Sequence, residues 1–99
     1  MADKTLKRVI TLAVFLVINL VMSQFVDAQD YLDYYEQGEF ALRVQKWDRA
    51  IDFFSKALKD NPNFFVAYHN RAIAYSKKGE YDKSIADLKK AVQLNPDYP

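Results

Sequence analysis

The sequence predicts an all-α fold: an α-solenoid of two helix-turn-helix units, four helices in all, preceded by an apolar N-terminal helix. Residues 31–64 align with residues 65–98 without a gap, an internal repeat of 34 residues. Tyr34 falls on Tyr68, Asp48 on Asp82, Ile51 on Ile85, Ala57 on Ala91 and Pro62 on Pro96. Trp47 over Tyr81, Phe54 over Leu88 and Leu58 over Val92 are chemically similar pairs. A repeat of this length marks units that cannot bury their apolar faces alone and so stack on their neighbours. Only two glycines and three prolines occur, so long helices can run unbroken.

The chain divides into residues 1–28, a first unit at 29–64 and a second at 65–98. The leading segment opens with Lys4, Lys7 and Arg8, continues with an apolar run from Val9 to Met22, and closes on Val26-Asp27-Ala28. A charged start, a short apolar middle and a small residue at the end form a signal-peptide pattern, with cleavage expected after Ala28. The alternative is an uncleaved anchor. Counted to Val26, the stretch would span ~27 Å as a helix, marginal against a hydrocarbon layer of ~30 Å. Length and flanks favour cleavage. In both cases the positive charges stay on the cytoplasmic side, so residues 29–99 are expected outside the cytoplasm, periplasmic or secreted, and membrane-bound only if the anchor is kept.

Each unit reads as helix A followed by helix B. The expected bounds are roughly residues 30–44 and 48–60, then 64–78 and 82–94. Ala50, Ile51, Phe54, Ala57 and Leu58 share one helical face, and Ile85, Leu88, Ala91 and Val92 repeat it. Gly79 can take the left-handed conformation that ends a helix; the first unit has Gln45 there and lacks the glycine. Asn61-Pro62 and Asn95-Pro96 stop the B helices, because proline disfavours helical backbone in the residue before it. Gly38, Ala50 and Ala57, matched by Ala72, Ser84 and Ala91, are small enough to let helices approach. Bulky residues such as Tyr34, Trp47, Phe54 and Tyr75 fill the space around them.

Composition narrows the function. Residues 29–99 carry 11 basic and 11 acidic side chains without a basic stripe, which argues against nucleic acid as a partner. The first unit is slightly acidic and the second slightly basic; this reads first as two ordinarily solvated surfaces, with head-to-tail contact as the lesser alternative. The absence of cysteine excludes disulfides, thiolate metal sites and a cysteine nucleophile. There is no phosphate-binding glycine loop and no nucleophile elbow, so no enzyme activity and no cofactor are expected. His69 is the only histidine and lacks neighbours for a metal site. Asp30, Asp33, Glu36 and Glu39, spaced by three, read as acids suited to a helix N-terminus.

The period, the small-residue positions and the closing prolines together resemble the tetratricopeptide repeat (TPR) family over residues 31–98. Gln37 and Arg71 depart from it where leucine is frequent, and Ala41 where tyrosine is, which suggests looser packing in the first unit. The resemblance implies a right-handed superhelix with a concave face lined by A helices that binds a peptide or protein. Carried over by position, that face presents Leu32, Tyr35, Glu39, Leu42 and Arg43, then Val66, His69, Asn70, Ile73 and Lys77. One subclass of the family clamps a chaperone's terminal carboxylate. Asn70 fits that clamp, but Tyr35 and Glu39 do not, so the clamp is not expected here. Pro99 falls where a third unit would begin, so Ile85, Leu88, Val92 and Leu94 are expected to form an uncovered edge. Self-association through that edge, a possible homo-oligomer, is the alternative functional reading.

Overall fold

A computed structural model describes the backbone of residues 2–97 and the side chains of residues 3–24 and 30–97. Among the described residues four helices follow one another: α1 Ala2–Arg43, α2 Trp47–Asp60, α3 Phe65–Lys77 and α4 Tyr81–Leu94. The last three begin and end within one residue of expectation. The first does not stand alone: the apolar leading helix and helix A of the first unit are one continuous α1. No glycine or proline occurs between Ala2 and Gln37, so nothing local interrupts the hydrogen-bond ladder. The expected cleavage residues Val26, Asp27 and Ala28 have side chains outside the described residues, as does Pro99.

Successive helices pack as antiparallel neighbours, α1 on α2, α2 on α3 and α3 on α4. The shared core holds Ala41, Ala50, Phe54, Leu58, Ala67 and Ala74. Phe54 is completely buried, and it lies against Gly38. A methyl group on Gly38 would come within 2.6 Å of the Phe54 ring. Glycine inside a helix costs ~1 kcal/mol relative to alanine, whereas full burial of a phenylalanine returns ~2–3 kcal/mol. The packing gain therefore decides the residue. In the second unit the counterparts are Ala72 and Leu88, a larger helix residue against a smaller partner. There Ser84 closes the approach by donating its hydroxyl to the carbonyl of Ala72 at 2.8 Å.

Both A helices end in the same way. Glu80 N–H bonds to Tyr75 C=O at 2.9 Å and Gly79 N–H to Ser76 C=O at 3.0 Å, a Schellman motif with Gly79 at φ 80°. Lys46 N–H bonds to Ala41 C=O at 2.9 Å and Gln45 N–H to Leu42 C=O at 3.1 Å. Gln45 accordingly sits at φ 62°. The missing glycine does not change the turn; the glutamine takes the strain. Ala41 is itself buried, but the room left by its short side chain stays open on the outer side of α1 and α2 as a groove.

Gln45→Gly should therefore stabilise the fold by about 0.5–1 kcal/mol, since the left-handed cost exceeds glycine's added unfolded-state entropy. A urea melt followed by the fluorescence of Trp47 reads it. Gly38→Ala should cost about 1–3 kcal/mol through overpacking. Adding Phe54→Leu, which copies the second unit, should leave the double variant at least ~1 kcal/mol more stable than the two single effects predict. Simple additivity in that cycle would show that the two residues do not touch.

Candidate functional site: the A-helix face and the repeat edges

The expected concave-face residues separate into three groups. Tyr35, Glu39 and Asn70 form one polar chain. Asn70 Nδ2 donates to the Tyr35 hydroxyl at 3.0 Å, and that hydroxyl donates to Glu39 Oε1 at 2.9 Å. The chain ties α1 to α3 across 35 positions of sequence. The Tyr35 ring meets Phe64 edge-on at 4.9 Å and lies tilted against Phe54 at 5.8 Å. Tyr31 packs on the other side of Phe64 at 5.2 Å. Half-buried Tyr35 and Leu42 thus belong partly to the core. In the second group, His69, Ile73 and Lys77 line a shallow groove of about 300 Å³, closed on the far side by Ser84 and Leu88. The third group is the remainder: Leu32 and Arg43 are exposed and Val66 is half-buried.

Arg71, noted in the sequence only as a departure from leucine, holds the second unit together. Its guanidinium makes two 2.7 Å hydrogen bonds to the Asp87 carboxylate and a third, at 3.1 Å, to Ser55 Oγ. Three helices meet at this side chain. The rings of Tyr68 and Tyr75 flank it at 5.6 and 5.8 Å. Hydrogen bonding to Asp87 holds the guanidinium above its ordinary pKa, against the opposing effect of burial. Asp87 is buried, at 6% exposed, and the fork geometry fits only arginine. The sequence carried a signal for Arg71 alone, a charged residue at a position where leucine is frequent; nothing in the repeat pattern pointed to Asp87 as its partner.

Among the described residues no three His, Cys, Asp or Glu side chains converge on a point that would hold a metal ion. Asp33 and Glu36 instead line the outer groove beside Ala41, together with Gln37, Phe40, Val44 and Phe53; its volume is about 660 Å³. Phe40 is 60% exposed, although its counterpart Ala74 is fully buried under α2. On the opposite edge Ile85, Leu88 and Val92 are 50, 40 and 51% exposed, while Leu94 is half-buried. Their counterparts Phe54 and Leu58 are buried and Ile51 is half-buried.

Two tetratricopeptide repeat profiles match this chain, one at residues 34–63 and one at residues 65–98. The chain belongs to the tetratricopeptide repeat family. Among curated TPR relatives, it is 36% identical over 63 residues to Hsp70-Hsp90 organizing protein 3 of Arabidopsis thaliana, covering 64% of this chain and 11% of that protein. It is 38% identical over 64 residues to WD and tetratricopeptide repeats protein 1 of Homo sapiens, covering 62% and 10%. The chain thus spans about a tenth of the length of these relatives. Among solved structures it superposes on the first TPR of Spaghetti (RPAP3), bound to the HSP90 peptide SRMEEVD. That match has a TM-score of 0.69 and 33% identity, and covers 71% of this chain and 56% of that one. The Arabidopsis OM64 TPR domain, at 24% identity and TM-score 0.70, covering 71% and 58%, shares the fold.

The Arg71 network makes a distinct demand on stability. Asp87→Ala, which strands the guanidinium, should cost about 2–4 kcal/mol in a urea melt. Arg71→Leu with Asp87→Leu, which removes both charges, should return to within about 1 kcal/mol of the parent.

Proposed function

We propose that residues 30–97 are a non-catalytic module that binds a peptide segment of another protein along the A-helix face. The likeness to a peptide-bound TPR at 33% identity supports this reading most directly. On this chain Leu32, Val66 and Ile73 supply apolar contact, and Arg43, His69 and Lys77 supply orientation. Tyr35 and Asn70 act one layer below: they hold α1 and α3 at a fixed spacing, which sets the width of the face. A terminal-carboxylate clamp is not part of the proposal. Asn70 already donates to Tyr35, and the Glu39 carboxylate stands at the end of the same chain of bonds and would repel a second one.

The segment Asp3–Gln24, which contains an 18-residue window with a mean hydropathy of 1.9 and none of it buried, supports a membrane-directed role for the first part of α1. In this reading residues 1–28 carry the TPR units, 29–64 and 65–98, across a membrane and are then removed after Ala28; retention as an anchor is the alternative. The intact mass of the chain recovered from its native membrane fraction decides between them.

Binding is tested by fluorescence anisotropy with the peptide SRMEEVD and its C-terminal amide. The proposal expects no measurable binding of either, or affinities within about threefold of each other. A loss of about tenfold or more on amidation would reinstate the clamp. Against a peptide selected from a random library on this chain, Ile73→Glu and Lys77→Glu should each weaken binding by roughly tenfold without changing the helical signal.

A further inference from the structure

The two open edges of this chain fit each other. We propose that a second copy of the chain stacks head to tail on the first, its α1–α2 edge covering the outer face of α4. This interface lies on the ends of the stack and borders the A-helix face at Leu88.

The template is inside the molecule. The second unit sits on the first through α2 and α3, and the 34-residue repeat carries that contact over to α4 and the α1 of another copy. The comparison of like positions shows what is uncovered. Phe54 and Leu58 are buried beneath α3, while Leu88 and Val92, the same positions on α4, are 40 and 51% exposed. Ala74 is buried against α2, while Phe40, the same position on α1, is 60% exposed, with Val44 at 46% beside it. Among the described residues no A helix covers the outer face of α4, and no B helix covers the outer side of α1.

Shape and charge both select the opposite edge as occupant. The face of α4 holds a groove of about 390 Å³ between Ile85, Leu88, Lys89 and Val92. Phe40 stands out from the other edge as an apolar knob of suitable size for it. The in-chain contact of Arg71 with Ser55 becomes Gln37 of one copy against Lys89 of the other. Lys89 then comes beside Asp33 and Glu36. In the chain, Lys78 bridges Asp48 and Glu80; the counterparts of those two acids are Asp82 and Lys46, which are opposite in charge. The stacked copies thus bring Asp82 to Lys46 at one end of the seam and Lys89 to the acids at the other. Exposed pairs of this kind set register more than affinity; the apolar knob and groove supply the attraction. Pairing like with like would cover one edge and leave the other open.

Where residues 3–24 are retained as an anchor, the arrangement also suits a shared membrane. A helices run parallel within a stack, so those segments of both copies would leave on the same side. A head-to-tail contact that does not close grows by addition, so dimers, trimers and longer species should appear together as concentration rises.

The chain has no cysteine, so site-specific crosslinking reads the pairing directly. Phe40→Cys and Ile85→Cys versions of residues 1–99, both changed at exposed positions, are mixed in detergent micelles and treated with a short bismaleimide. The proposal expects crosslinked dimer in the mixture well above that of either chain alone. Lys89→Glu in the Ile85→Cys chain should lower that yield roughly three- to tenfold, and Glu36→Lys in the Phe40→Cys chain should restore it. Products joining two Phe40→Cys chains or two Ile85→Cys chains in excess would overturn it, since they report a two-fold interface or random collision of apolar helices. So would the absence of any crosslink while circular dichroism shows both chains folded, or a yield indifferent to Lys89.

Discussion

The contact of Phe54 with Gly38 is the constraint on which the rest of the structure depends. It lets the Phe54 ring of α2 lie directly on the backbone of α1, and it buries the largest residue of the core completely. From there the order spreads by direct contact. Phe54 meets Tyr35, Tyr35 meets Phe64 in the loop before α3, and Asn70 on α3 donates to the Tyr35 hydroxyl. The spacing of the A helices, and hence the face available to a peptide, follows from how deeply one ring sits. A small two-unit stack has little other core to spare: alanines make up most of the remaining buried apolar residues.

The second unit reaches the same geometry by a different route. Leu88 is smaller than Phe54 and partly exposed, so it cannot clamp α3 to α4 alone. The Arg71–Asp87 fork and the Ser84 bond to Ala72 take over that task. Direction and distance are then set by hydrogen bonds instead of by the fit of a ring. Ser55 joins the same network from α2, so the polar lock of the second unit also fastens it to the first.

Much of this was legible in the sequence because the repeat is read twice. Helix bounds, small-residue positions and the left-handed Gly79 all follow from period and residue type. What escaped has a physical reason in each case. Gln45 takes glycine's conformation because the Schellman bonds outweigh a modest backbone cost, which residue identity alone does not reveal. Arg71 looked like a departure from leucine because its value lies in Asp87, 16 positions away. Tyr35 and Leu42 were placed on the binding face by position, yet their packing draws them partly into the core. Phe40 could have been found: a large apolar residue over the buried Ala74 of the next unit marks an open edge. The continuity of α1 runs against the change in composition at residue 28, because no helix breaker lies between the two segments.

Function then divides by surface. The A-helix face offers exposed side chains over a rigid layer, the arrangement suited to an extended peptide. The ends of the stack offer apolar knobs and grooves whose complement is another helix. These surfaces meet at Leu88, which lines both the A-helix groove and the outer face of α4.

The close approach itself is measured most directly by proton NMR of the folded chain. The account predicts strong nuclear Overhauser contacts between the α protons of Gly38 and the ring protons of Phe54, with the glycine signals displaced by the ring current. Glycine protons at ordinary shifts, without contact to that ring in a chain that is otherwise helical, would contradict it.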